Sequence, residues 1–243
     1  MLTWIAARYP RPNLGTIVMS NSFRSPALVA KMGASLQAFS LGRFILGYGA
    51  GWYKDEYISF GYKYPSLPVR VQMLEEGVQI IKSMWTGSPA SFDGEHYQIS
   101  EVSCEPLPDP VPPIMIGGSG ERYTLKAVAK YADWWNDLNR PPDQLKHKLN
   151  VLKGHCADVG RNYDDIRKTL AVRVFIETSH KTAVKRAAEF EGISVAGDPV
   201  SVVDQFNAIA ELGFDLCILN FPTHFQNMND VRLFMDKVMP AFR

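Results

Sequence analysis

This sequence predicts an α/β fold in which parallel strands are covered by helices. Three observations carry that prediction. Short apolar runs alternate with longer segments of helical period. The strand candidates are almost continuously apolar, as strands buried on both faces are. Glycine or proline punctuates most junctions between the two kinds of segment. The 243 residues, 46% apolar and 21% charged, suffice for one large core. They exclude a disordered tail, a collagen-like fibre and a disulfide-rich miniprotein.

In chain order, Leu14 to Met19 reads as a buried strand. Ser25-Pro26 starts a helix, with Ser25 capping the first amides and Pro26 losing no hydrogen bond at the first helical position. Leu28, Met32, Leu36 and Phe39 keep three-to-four spacing and are expected to face the core. Arg43 to Tyr48 is the next strand and runs into Gly49-Ala50-Gly51. Val71, Leu74, Val78, Ile81 and Trp85 mark a strong helix, with Gly87 expected as a left-handed cap. Residues 89–112 break the rhythm: Asp93-Gly94 suits a tight turn, and Pro106, Pro108, Pro110, Pro112 and Pro113 force an extended connection.

The alternation resumes with a short strand ending in Gly117-Gly118-Ser119-Gly120 and a helix from about Glu121 to Ala132. Next come a strand at Asp133–Leu138, a helix opened by Pro141-Pro142 and stopped by Gly160, and a long strand from Leu170 to Ile176. A helix over His180–Phe190, one from Asp198-Pro199 to Gly213, a strand at Phe214–Phe221 and a helix at Asp230–Met239 complete the chain. Right-handed crossovers leave an open doubly wound sheet or a closed (β/α)8 barrel, and about six strands are visible against a barrel's eight. No linker or low-complexity boundary appears, so a single domain over 1–243 is expected.

Lys plus Arg number 26 against 25 for Asp plus Glu, a net charge of +1. With no basic run, nucleic acid is a poor partner. Cys104, Cys156 and Cys217 are odd in number and far apart, which disfavours a disulfide framework and a zinc site. No apolar run approaches the roughly 18 residues of a membrane span. The N-terminus lacks a signal-peptide layout, so a cytoplasmic location is expected.

Two glycine clusters are candidates for binding. Gly47-Tyr48-Gly49-Ala50-Gly51 has G-x-G-x-G spacing, not the G-x-x-G ending of a dinucleotide fingerprint. It serves either close packing at a strand end or the approach of a planar ligand. Gly117-Gly118-Ser119-Gly120 joins a strand to a helix, where free amides can cradle a phosphate and Arg122 can add charge. Glu75-Glu76 reads as a solvated helix face, and Trp134-Trp135 as core. His224 follows the last strand, an address where barrel enzymes place catalytic groups, but it has no visible partner.

Several motifs together resemble the bacterial luciferase-like flavin and deazaflavin oxidoreductases. They include Leu14-Gly15-Thr16-Ile17-Val18, Arg24-Ser25-Pro26-Ala27-Leu28, and Gly42-Arg43-Phe44 with Gly47-Tyr48-Gly49-Ala50-Gly51-Trp52. Met84-Trp85-Thr86-Gly87, Phe92-Asp93-Gly94-Glu95-His96-Tyr97, Pro113 to Gly118 and Tyr131 to Asn136 continue the likeness over nearly the whole chain.

The resemblance implies a (β/α)8 TIM-barrel family fold with about six of the eight strands present. It also implies an insertion at about 89–112 and absence of the first two strands and first helix. A late start codon, a truncated gene or an assembly that supplies the missing wall would each account for that absence. The resemblance further implies hydride transfer between coenzyme F420 and a small organic substrate, with an FMN-dependent monooxygenase as the alternative. A non-catalytic barrel acting as a binding subunit is a rival from another class.

Family members carry a non-proline cis peptide against the cofactor's middle ring, which falls here at Ile17-Val18. Gly49 and Ala50 are implied near the pyrimidine end. Gly117, Gly118, Ser119 and Gly120 are implied at the phosphate tail, with Asn136 near the same tail. A homodimer is also implied. No catalytic residue is assigned.

Overall fold

Helix α1 (Leu2–Arg8) opens the chain in a computed structural model that describes residues 1–87, 89–222 and 228–242. The chain forms two compact units, Met1–Trp135 with Leu152–Ile166, and Asn136–Val151 with Arg167–Arg243. No helix among the described residues is long and apolar enough to cross a membrane.

In the first unit, β1 (Leu14–Gly15) and β2 (Met19–Ser20) precede α2 (Pro26–Phe39), β3 (Phe44–Gly49), α3 (Lys54–Ser59) and α4 (Leu67–Thr86). The hairpin β4 (Ala90–Asp93) and β5 (Gln98–Val102) follows, then β6 (Ile114–Gly117), α5 (Thr124–Tyr131) and the start of β7 (Trp134–Leu138). Strand β3 is central. It pairs in parallel with β1 at Leu14↔Phe44, with β2 at Ser20↔Gly49, and with β6 at Leu46↔Ile114. Burial of five of its six residues explains why the sequence shows an apolar run there and no alternation.

The second unit holds the end of β7, the start of α6 (Pro142–Asp158), β8 (Arg167–Ile176), α7 (His180–Ala187), β9 (Ser194–Gly197), α8 (Pro199–Glu211), β10 (Leu216–Asn220) and α9 (Asn229–Lys237). Strand β10 runs parallel to β8 over Thr169–Arg173, and β9 runs parallel to it over Arg173–Ile176. Leu145, Leu149, Leu152 and Cys156 are buried along α6, as their spacing predicts. Asp198 caps α8 by accepting from the Val200 and Ser201 amides, which holds its carboxyl below the usual range. Arg186 bridges Glu177 and the buried Asp230, at 3.0 Å from the latter.

Several local expectations are corrected. The buried face of α2 is Val29, Ala30, Gly33, Ala34, Leu36 and Gln37, while Leu28, Met32 and Phe39 are 52%, 51% and 67% exposed. Side-chain volume is the reason. The Trp85 indole of α4 lies on α2, donating to the Ala30 carbonyl at 2.9 Å, and only small residues fit beneath it. Met32 and Phe39 instead border a surface groove of about 310 Å³ with Thr3 and Lys31.

Ser25 stands at the N-cap of α2 without a capping side-chain bond. Gly87 is extended rather than left-handed, with φ −160°. Helix α5 starts at Thr124, three residues later than expected. The strand expected over Leu14–Met19 is split in two, because Thr16–Val18 leaves the ladder. Helices α1 and α3 and strand β9 were not visible in the sequence. Glu75 and Glu76 are not a solvated face: Glu75 pairs with Lys130 at 3.7 Å, and Glu76 accepts the amides of Glu95, His96 and Tyr97 at 2.9–3.0 Å.

The α2–α4 contact predicts opposite outcomes for two helical glycines. A Cβ at Gly33 would stand 2.7 Å from the buried Trp85 ring, whereas one at Gly154 on α6 meets nothing within 4 Å. Gly33→Ala should cost about 1–3 kcal/mol by overpacking, outweighing the helix-propensity gain of about 1 kcal/mol. Gly154→Ala should keep that gain. Urea unfolding of both variants measures the contrast.

Candidate functional site

The carboxyl ends of β3 and β6 carry the two glycine clusters, and one short segment joins them. Between β1 and β2 the peptide Ile17-Val18 is cis. Thr16 Oγ1 donates to the Gly47 carbonyl at 2.7 Å and holds the segment against β3. A Cβ built at Gly47 would stand 1.7 Å from the Thr16 carbonyl oxygen, so only glycine fits. A Cβ at Gly49 would come within 2.8 Å of Val18 Cγ2, and one at Gly117 within 2.9 Å of both Val18 methyls. Val18 thus rests on glycines of two neighbouring strands. The close approach of the Thr16–Val18 segment explains the G-x-G of β3 and the first glycine of the second cluster, Gly47 through Thr16 and the other two through Val18.

The remaining predicted residues divide between the units. Ala50 follows Gly49 and is buried, and the Ile17 side chain beside Val18 is 53% exposed. Gly118 has φ +126°, which admits glycine readily and other residues with strain. Its carbonyl accepts the Trp135 indole N–H at 2.8 Å. That bond gives Trp135 a task beyond core packing, since it orients the turn that leaves β6. Positions for Cβ atoms at Gly118 and Gly120 lie 3.1 and 3.0 Å from the Thr124 side chain at the start of α5. Ser119 is half-buried between them. Arg122 stacks its guanidinium 5.1 Å from the Tyr123 ring.

The structure therefore brings Ile17, Val18, Gly49, Ala50 and Gly117 together, with Gly118, Ser119 and Gly120 continuing from them. Asn136 belongs to the second unit, where it is buried and its amide donates to the Asp137 carbonyl at 3.4 Å. His224 lies outside the described residues.

Sequence reasoning missed the groups that hold the loops around this cluster. The buried Tyr57 phenol reaches Ser20, Ser22 and the Ala50 carbonyl, and burial within an otherwise exposed helix gave no apolar period to detect. Tyr97, beside Glu76, has its phenol pushed up to about 12, chiefly by burial and then by the Glu76 charge.

The backbone oxygen at Gly47 cannot move aside as a flexible side chain could. Gly47→Ala should therefore cost about 3–5 kcal/mol, in the range of severe steric substitutions. Thermal and urea unfolding test this, and an unchanged midpoint would contradict the packing described.

The chain is 25% identical to an F420-dependent glucose-6-phosphate dehydrogenase of Microbacterium testaceum (strain StLB037), over 100% of this chain and 82% of the relative. It is 31% identical to the protein of the same description from Mycobacterium avium (strain 104), over 84% of this chain and 62% of the relative. The fold matches the coenzyme F420-dependent tetrahydromethanopterin reductase from Methanopyrus kandleri with a TM-score of 0.84 and 18% identity, over 100% of this chain and 86% of that one. This likeness shows the α/β fold of the barrel enzymes. A family model described as luciferase-like monooxygenase matches residues 1–193, so the chain belongs to the luciferase-like monooxygenase family.

Proposed function

We propose that the protein is an F420-dependent oxidoreductase acting on a small organic substrate, and that its first unit holds the cofactor. The observation that carries this reading is the packing of Gly49 and Gly117, from strands far apart in the sequence, on Val18 of the Ile17-Val18 segment. The family and the F420-dependent relatives supply the identity of the ligand.

The residues present fit that ligand at both ends. Gly118 and Gly120 leave the space beside Thr124 at the start of α5 without side chains of their own, a cradle that a Cβ at either position would begin to fill. Backbone amides in such a turn, with the positive end of a helix behind them, suit a phosphate. At the other end, Val18 is fixed by the glycines beneath it, and Ile17 presents an exposed apolar side chain to a planar ring.

When bound, the deazaflavin supplies a two-electron carrier that exchanges a hydride with the substrate. The protein's part is to place and hold it. Val18, supported by Gly49 and Gly117, sets the height of the ring. The Gly118–Gly120 turn, oriented by Trp135, fixes the tail. Such positioning converts an encounter in solution into a reaction between pre-aligned groups.

Fluorescence titration with oxidised F420, with FMN in parallel, tests the assignment. Saturable binding of F420 at about micromolar Kd or tighter, with FMN weaker, is expected. Gly120→Val, which fills the cradle, should weaken F420 by about tenfold or more. A preference for FMN would move the assignment to the oxygen-activating branch of the family. Binding of neither by the folded protein would overturn it.

A further inference from the structure

Tyr57 is the one buried residue of α3. Its ring packs on Phe23 at 4.7 Å and edge-on to Tyr64 at 5.0 Å. Its hydroxyl stands 2.9 Å from Ser20 Oγ, 3.0 Å from Ser22 Oγ and 3.2 Å from the Ala50 carbonyl oxygen. The carbonyl can only accept, so the phenol proton is directed to Ala50 or to Ser22, and the Ser20 hydroxyl can donate back to the phenol oxygen. Ser22 in turn donates to the buried Asn21 side chain, whose amide donates to the Arg70 carbonyl on α4 at 3.3 Å.

This network explains the last glycine of the G-x-G-x-G run. Gly51 has φ +72°, and a Cβ there would stand 1.9 Å from the Tyr57 oxygen and 2.6 Å from Ser20 Oγ. The tyrosine oxygen occupies the space that any side chain at residue 51 would need. Ser20 is register partner to Gly49, so the phenol ties together the carboxyl ends of β2 and β3 beside Val18.

We propose that Tyr57 is a positioning residue for the ring end of the cofactor site, holding Ala50 and Ser20 in place through its hydroxyl. The inference rests on the F420 assignment above. It is separable from that assignment, because it concerns the ring end alone.

The test uses Tyr57→Phe, which keeps the ring packing and removes the hydroxyl. Two probes are titrated: F420, and its deazaflavin ring carrying no phosphate tail. Loss of one such hydrogen bond predicts about three- to tenfold weaker binding of both probes by the same factor. It also predicts a shifted visible absorption band of the bound ring, which a role confined to stability would not produce. Gly120→Val should weaken only the tailed probe. Ser20→Ala, a smaller change on the same network, is expected to move the ring affinity in the same direction and decides the matter if Tyr57→Phe does not fold. Unchanged ring affinity in the folded variant, or a loss confined to tailed F420, would overturn the proposal. Failure of the wild-type protein to bind either probe would overturn the cofactor assignment with it.

Discussion

The contact of Val18 with Gly49 and Gly117 is the constraint on which the first unit turns. Strands β3 and β6 end at this point, and neither can carry a side chain facing Val18 without displacing it. The Thr16–Val18 segment leaves the ladder because the glycines of β3 let it lie closer than a strand neighbour would. Thr16 fixes its approach through the Gly47 carbonyl. Pairing resumes at Met19, one residue past Val18, so β1 and β2 are two halves of one strand interrupted at the site.

Around that constraint, loops are held by single side chains bonded to backbone. At the amino end of β3, Gln37 accepts from the Phe44 amide and donates to the Pro110 carbonyl, which pins the proline-rich connection. Arg43 there collects carbonyls of α1 and the following loop, from Ala6 and Tyr9, where a cation also suits the helix terminus. At the carboxyl ends, Tyr57 and Trp135 perform the equivalent service for Ala50 and Gly118. Such anchors thus sit at both ends of the strands, those at the carboxyl ends lying beside the proposed cofactor site.

Much of this was legible in the sequence. The strands β3, β6 and β8 stand out because burial on both faces leaves an apolar run, and β10 stands out as an apolar run although its residues are only half-buried. Helix α8 is marked by its Asp198 cap and Val202–Phe206–Ile209 spacing, and α6 by Pro141-Pro142, Gly160 and the Leu145–Leu149–Leu152 spacing. Both glycine clusters were marked as binding candidates by their place at strand ends, whereas Ile17 and Val18 were reached only through family resemblance. The orientation of α2 was misread because hydrophobicity favours Leu28, Met32 and Phe39, while the fit under Trp85 demands Ala30 and Gly33. Strand β9 escaped notice because Ser194-Val195-Ala196-Gly197 has one large apolar residue, and α3 because it buries only Tyr57.

The most direct test is a double-mutant cycle between Val18 and Gly49, read by urea unfolding. A methyl added at Gly49 meets Val18 Cγ2 at 2.8 Å, with the next neighbour, the Gly117 oxygen, at 3.5 Å. Gly49→Ala should therefore cost about 1–3 kcal/mol in the native background, and substantially less once Val18→Ala has removed the methyls. A coupling of about 1 kcal/mol or more is the predicted result. Additivity within about 0.5 kcal/mol would mean that the two residues do not press on each other, and the account of the site built on that contact would be wrong.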